Sequence, residues 1–250
     1  MIMPYFLIDE KVILSNSFAI KGKEMHHIMG PRRVRIGEEI EIQDSSQVRF
    51  LCKVTRSTKR EIELSPLKVV STPKEPELQI NLFQALLKEK AMKNIIQKVT
   101  ELGVCRIIII ETTYSQRFTS KDHMETHLAS WNKVALEACK QSGRVKPPEI
   151  IFSGSINELL YKPNFHESDF FCLHTDCKSN VRDFYEFSGK VLNLLIGPEG
   201  GFSEEEINNK NIHQISLGPR ILRGDTAATI AVGIAQFLFG DMSKKVNFPS

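Results

Sequence analysis

The sequence predicts an α/β protein: a mostly parallel sheet covered by helices on both faces, preceded by a small β-rich module. Three observations carry this. Before residue 70, apolar and polar residues alternate with a period of two, the mark of half-buried strands. From residue 78, short apolar runs alternate with segments of helical period, the pattern of parallel strands joined by crossover helices. Between them lies Ser71-Thr72-Pro73-Lys74-Glu75-Pro76-Glu77, which has two prolines, three charges and no apolar residue, and reads as a linker. Domains of residues 1–72 and 73–250 are expected.

In the first part, Val48, Phe50, Cys52 and Val54 alternate with Arg49, Leu51, Lys53 and Thr55. Glu39-Ile40-Glu41-Ile42 and Glu61-Ile62-Glu63-Leu64 repeat the pattern, so a small barrel or sandwich is expected, one set of side chains inward and the other outward. Lys23-Glu24-Met25-His26-His27-Ile28-Met29 predicts a short helix, followed by Gly30-Pro31-Arg32-Arg33-Val34-Arg35. Arg32, Arg33 and Arg35 are candidate phosphate contacts, because the guanidinium fork matches phosphate oxygens; a solvated basic turn is the plainer alternative. Of His26 and His27, one is expected to pack under the barrel and one to cap a turn, and no third ligand at useful spacing supports a metal.

In the second part, residues 78–82 form a strand. Residues 88–102 form a helix with Met92, Ile95, Ile96, Val99 and Leu102 on one face and Gly103 as its stop. Residues 104–110 make a nearly continuous apolar strand of the kind buried on both faces. A long helix follows over Lys121–Ser142, with Met124, Leu128, Trp131, Val134, Ala135 and Ala138 inward. Gln141, Ser142 and Arg144 at its end read either as a polar cap or as RNA contacts. Short strands are expected at 149–152 and 169–173.

Two strand–loop–helix units close the chain. Strands at Val191–Ile196 and 213–217 each run into a Gly-Pro loop, Gly197-Pro198-Glu199-Gly200-Gly201 and Gly218-Pro219-Arg220. Ser203 and Glu206 have capping-box spacing, and Thr226 suits the cap or first turn of an apolar helix over 227–239. One Gly-Pro loop is an ordinary tight connection. Two at the carboxyl ends of strands, with Arg223 and Asp225 just beyond, outline a ligand crevice.

The totals narrow the function. The chain has 250 residues, 41% apolar and 25% charged, ordinary values for a soluble globular protein. No apolar run approaches the roughly 20 residues of a membrane span, and Met1-Ile2-Met3-Pro4-Tyr5-Phe6 does not open a secretory signal. Five cysteines without a Cys-x-x-Cys pair suggest free thiols in a reducing cytoplasm rather than zinc or disulfides. Residues 1–74 carry 13 Lys/Arg against 9 Asp/Glu, net +4, while the rest carries 20 against 21, net −1, an asymmetry that suits a polyanionic partner. P-loop, dinucleotide-type Gly-x-Gly-x-x-Gly, Gly-x-Ser-x-Gly and His-Glu-x-x-His signatures are all missing.

Ile196-Gly197-Pro198-Glu199-Gly200-Gly201-Phe202 followed by Leu217-Gly218-Pro219-Arg220-Ile221-Leu222-Arg223 resembles the RsmE family, SPOUT-class enzymes that methylate N3 of a uridine in 16S ribosomal RNA with S-adenosylmethionine. Lys98-Val99-Thr100-Glu101-Leu102-Gly103-Val104 and Glu137-Ala138-Cys139-Lys140-Gln141-Ser142-Gly143-Arg144 are similar to that family too, and His27 and Arg33 fall on positions of its N-terminal module. Two stretches depart from it: Gly224-Asp225 stands where Thr-Glu is usual, and Gly30-Pro31-Arg32 where apolar residues are usual.

The resemblance implies a PUA-like β-barrel RNA-binding domain, a trefoil-knotted SPOUT-type sheet and a homodimer. It implies Arg223 with Asp225 or Glu199 as catalytic residues. A cofactor site would be built from Leu173, Ile196, Gly197, Pro198, Gly200, Gly201, Leu217, Gly218, Ile221, Leu222, Arg223, Thr226 and Ala227. RNA contacts would come from His27, Arg32, Arg33, Arg35, Gln141, Ser142 and Arg144. A non-catalytic RNA-binding or ribosome-assembly factor on the same fold, and a nucleotide-binding metabolic enzyme, are the alternatives.

Overall fold

The computed structural model describes residues 5–29, 34–72, 75–160, 170–175, 177 and 187–244; for His27 only the backbone is described. Arg32 and Arg33 lie outside the described residues. The chain forms two compact units. Of the described residues, one gathers those up to Thr72 together with Cys139–Lys146; the other gathers Glu75–Ala138 and those from Pro147 to Lys244.

The first unit is a five-stranded sheet of β1 (Tyr5–Leu7), β2 (Phe18–Lys21), β3 (Glu39–Gln43), β4 (Arg49–Ser57) and β5 (Glu61–Val69), with helix α1 (Gly22–Met29) after β2. The order is β1-β3-β4-β5-β2; β1 pairs with β3 in parallel and the other pairs are antiparallel. The expected alternation holds for Phe50, Cys52, Val54, Ile62 and Leu64, all buried with Ile40 and Ile42, and α1 adds Met25 and Ile28 to the same core. Burial in this core pushes the Cys52 thiol up to about 12. His26 is exposed, so it is not the histidine under the barrel.

Arg49 departs from the period-two expectation: it is 3% exposed. Its guanidinium stacks on the Tyr5 ring, 3.7 Å from the centroid, and Nη2 donates to Gln43 Oε1 (3.2 Å), Gly143 O (3.2 Å) and Arg144 O (3.3 Å). Tyr5 Oη donates to Arg144 O (2.6 Å) and Gln43 Nε2 to Val145 O (2.8 Å). Nη1 lies 3.7 Å from Glu41 Oε2, so a neighbouring carboxylate and carbonyls some 95 residues downstream together receive a charge that the local pattern assigned to solvent, while Nε is buried without a hydrogen-bond partner among the described residues. Between β3 and β4, Asp44 accepts from Ser46 N, Ser46 Oγ and Val48 N at Oδ1 and from Val12 N at Oδ2. Burial works against the charge there, but these four hydrogen bonds prevail and hold the carboxyl below its ordinary range.

The second unit is a six-stranded sheet of β6 (Gln79–Ala85), β7 (Arg106–Glu111), β8 (Glu149–Ser155), β9 (Phe170–Leu173), β10 (Val191–Ile196) and β11 (Ile212–Ile215). The order is β11-β9-β10-β6-β7-β8 and every pair is parallel. The described helices are α2 (Glu89–Glu101), α3 (Lys121–Ser142), α4 (Ile156–Leu160), α5 (Glu204–Ile207) and α6 (Gly224–Phe239). Central strands read as continuous apolar runs because both faces are covered. In β7, Ile107 and Ile109 join a core with Met92, Ile95 and Ile96 of α2, Trp131 and Ala135 of α3 and Ala228, Ala231 and Val232 of α6. Ile108 and Ile110 join the opposite core with Ile156, Leu159, Phe202 and Ile207.

The α2 face is as expected, and the helix stops at Gly103 (φ +86°), where a side chain would also meet Pro76. Helix α6 starts three residues earlier than expected, with Arg223 as N-cap and Thr226 in the first turn. No described helix is long and apolar enough to cross a membrane.

Candidate active site

The sheet order explains where a ligand fits. Strands β10, β9 and β11 are neighbours, and their carboxyl ends, Ile196, Leu173 and Ile215, open towards the same edge. The chain leaves β10 and β11 through the two Gly-Pro loops. Between these loops and the start of α6 lies a cavity of about 340 Å³. That volume is at the lower end of small-molecule sites.

Its walls contain Leu173, Ile196, Gly197, Pro198, Gly200, Gly201, Leu217, Gly218, Ile221, Leu222 and Ala227 of the expected cofactor set, and Glu199 of the expected catalytic set. Sequence reasoning missed His174, Thr175, Phe202, Ser216, Arg220 and Gly224, which also line it. His174 and Thr175 continue directly from Leu173, so extending the strand-end rule to β9 would have found them. The others are flanking or internal residues of the quoted loops.

Arg223, Asp225 and Thr226 stand outside the lining. Arg223 is 78% exposed at its side chain, and its Nε lies 3.8 Å from Asp225 Oδ1. Asp225 is more occupied: Oδ2 accepts from Asn94 Nδ2 (3.1 Å) and Oδ1 from Thr226 N (2.9 Å). A carboxylate in the first turn also meets the positive end of α6. Glu199 is exposed at the cavity, with no hydrogen bond among the described residues.

Gly197 in the first loop and Gly224 at the start of α6 answer to packing within the chain: a Cβ on Gly197 would sit 2.8 Å from the Phe202 ring, and one on Gly224 would sit 3.0 Å from Leu87 Cδ1. Gly201 and Gly218 differ: their φ values of +73° and +110° are conformations that side-chain-bearing residues rarely adopt, while the space beside each is open. The capping box at Ser203 and Glu206 is present. Glu206, 1% exposed, also reaches the β7–α3 loop. Its Oε2 accepts from Ser203 N (2.8 Å), and its Oε1 accepts from Thr113 N (2.7 Å) and Thr113 Oγ1 (3.0 Å).

The expected RNA-contacting residues are placed in the first unit where they are described. Arg35 is exposed, in a turn closed by its N–H on Glu38 Oε2 (2.9 Å). Gln141 is exposed, Ser142 Oγ donates to Cys139 O (3.2 Å), and the Arg144 carbonyl is fixed by Tyr5 and Arg49. Among the described residues no group of three or more His, Cys, Asp or Glu is arranged to hold a metal ion, and all five cysteines are free thiols.

The parallel sheet, with its glycine-loop cavity at the ends of β9, β10 and β11, is of the SPOUT class of RNA methyltransferases. The family described as RNA methyltransferase domain matches residues 74–236. A Mesomycoplasma hyopneumoniae protein named ribosomal RNA small subunit methyltransferase E is 30% identical over 230 residues, covering 89% of this chain and 94% of its own. A Buchnera aphidicola protein of the same name is 27% identical over 245 residues, covering 96% and 95%. The crystal structure of a ribosomal RNA small subunit methyltransferase E from Neisseria gonorrhoeae bound to S-adenosyl methionine superposes with a TM-score of 0.83 at 27% identity, covering 96% of this chain and 99% of that one. The chain belongs to the RNA methyltransferase domain family and, within it, to the family of ribosomal RNA small subunit methyltransferase E.

Proposed function

We propose that the protein transfers a methyl group from S-adenosylmethionine to N3 of a uridine in 16S ribosomal RNA, on the assembled small subunit, as a cytoplasmic homodimer. The observation that carries this is the cavity at the ends of β9, β10 and β11, with aliphatic walls and a free carboxylate, Glu199, on its border. In this reading residues 1–72 are the RNA-binding module and 73–250 the methyltransferase domain.

The residues present suit the cofactor. Leu173, Ile196, Leu217, Ile221 and Leu222 offer flat apolar walls for an adenine ring, and the open backbone at Gly218 offers polar partners for its edge. Glu199 complements a cationic ligand. S-adenosylmethionine supplies an activated methyl group on a sulfonium.

The chain's own work concerns the base. Uracil N3 carries a proton at neutral pH, and charge develops on the flanking carbonyl oxygens as that proton leaves. Arg223, exposed at the start of α6, is the donor for one of those oxygens. Of the two candidate proton acceptors, Glu199 borders the cavity, whereas Asp225 is held by Asn94, Thr226 and Arg223. Glu199 is therefore assigned the proton and Asp225 the setting of Arg223.

Methyl transfer by Arg223→Ala, Glu199→Gln and Asp225→Asn variants tests this. The first two should lose turnover by tenfold or more, with folding intact. An unchanged rate in Glu199→Gln and a lost one in Asp225→Asn would reverse the assignment. The non-catalytic alternative predicts cofactor binding without turnover in the unaltered protein.

A further inference from the structure

Close to the cavity, and unused by the roles above, is Tyr114 on the β7–α3 loop. It is 58% exposed, unusual for so large an aromatic in a loop that is otherwise tied down. The loop is braced by four hydrogen bonds, one internal and three to other elements. Thr112 N donates to Ser115 Oγ (2.8 Å), Thr113 N and Oγ1 donate to the buried Glu206 carboxylate, and Gln116 N donates to Leu86 O (2.9 Å). Because Glu206 also accepts from Ser203 N, one carboxylate joins this loop to the first glycine loop. The root of the Tyr114 side chain rests on Gly200: a Cβ built on that glycine would lie 3.0 Å from Tyr114 Cβ and 3.4 Å from Cγ. Gly200 and its neighbour Glu199 both line the cavity. A firmly rooted, open aromatic ring therefore stands against Gly200, the residue that follows Glu199 in the cavity wall. Three residues on, Arg117 is exposed on the same loop, a forked donor of the kind that binds phosphate.

We propose that Tyr114 is a stacking platform for a base of the RNA substrate, at or next to the target uridine, with Arg117 serving the adjoining backbone. The proposal rests on the RNA-methylation reading and deepens it. Every nucleobase has a π-face, and unpaired or extruded bases are recognised chiefly by stacking on aromatic side chains. A pre-ordered ring needs little further ordering to receive one.

The test compares Tyr114→Phe, Tyr114→Trp and Tyr114→Leu with the unaltered protein in three measurements. These are methyl transfer to small ribosomal subunits lacking N3-methyluridine, binding of the same subunits without turnover, and calorimetric binding of S-adenosylmethionine. The Leu variant keeps apolar bulk but has no π-face. Its KM and Kd for the subunit should rise roughly tenfold, with kcat and cofactor affinity unchanged, while Phe and Trp stay near the unaltered values. Unchanged subunit binding in the Leu variant would overturn the proposal. So would an equal loss in Phe, which would assign the role to the hydroxyl, or a matching loss of cofactor affinity, which would make Tyr114 a cavity wall. If the unaltered protein binds subunits but transfers no methyl group, the functional reading fails, and the binding arm still decides Tyr114.

Discussion

Glu206 offers the sharpest test of how the site is held. Truncation to alanine removes the acceptor for Ser203 N, Thr113 N and Thr113 Oγ1 at a position 1% exposed. Hydrogen bonds to a charged partner contribute about 1.5–3 kcal/mol each. Two offsets reduce the sum: Thr113 is exposed enough for water to replace its bonds, and truncation relieves the desolvation of the carboxylate. A net loss of about 2–4 kcal/mol is expected. At this chain length each kcal/mol lowers the melting temperature by about 2–4 °C, so a fall of roughly 5–15 °C is expected. Glu206→Gln should cost about half as much, since its carbonyl still serves Thr113 but its amide meets the Ser203 N–H donor to donor. Urea denaturation measures the stability. Calorimetric titration with S-adenosylmethionine measures whether the 197–203 loop remains set, and affinity should fall along with stability. An alanine variant within about 0.5 kcal/mol of the unaltered protein, with unchanged cofactor affinity, would refute the stapling of the two loops.

Three further outcomes are expected. Gly197→Ala places a methyl group 2.8 Å from the Phe202 ring in a packed core, so it should destabilise by about 1–3 kcal/mol and weaken cofactor binding, read by thermal melting and calorimetry. Arg49→Lys loses the Nη2 bonds to Gln43, Gly143 and Arg144 and the planar stack on Tyr5, and should cost about 2 kcal/mol in a denaturant melt. The Asp44 carboxyl is held below its ordinary range in the folded chain. Its contribution is therefore present above the unfolded carboxylate pKa and is lost as pH falls through the lower, folded value. Asp44→Asn should thus be less stable than the unaltered protein at pH 7, with the gap narrowing once pH falls below the ordinary carboxylate range, followed by urea denaturation at each pH.

The legible parts of the sequence were those whose physics is local. The stripe Met92, Ile95, Ile96 and Val99 specifies α2 because helical period and burial coincide, and Gly103 ends it because only a residue free of a side chain fits there. The doubly buried run in β7 was legible for the same reason. Arg49 was not, because two of the carbonyls that receive it lie near residue 144, beyond the reach of a local pattern, and a register shift in β4 breaks the period just beyond it. Glu206 was legible as a helix cap and illegible as a bridge, since its second partner, Thr113, is 93 residues away. The two Gly-Pro loops pointed to the cavity, but not to the division of labour proposed for Glu199 and Asp225. That proposal draws on Asn94, a residue of another helix with no motif around it. The start of α6 at Gly224 was not legible either: the glycine is buried, and the space a side chain would need is taken by Leu87, a residue far away in the chain.

The central claim is most directly tested by incubating the protein with labelled S-adenosylmethionine and small ribosomal subunits that lack N3-methyluridine, then digesting the RNA and identifying the labelled nucleoside. The account predicts label in N3-methyluridine alone, at a single site, and its loss in Arg223→Ala. Label in a different nucleoside, or no transfer to subunits or naked RNA while the cofactor still binds, would contradict it.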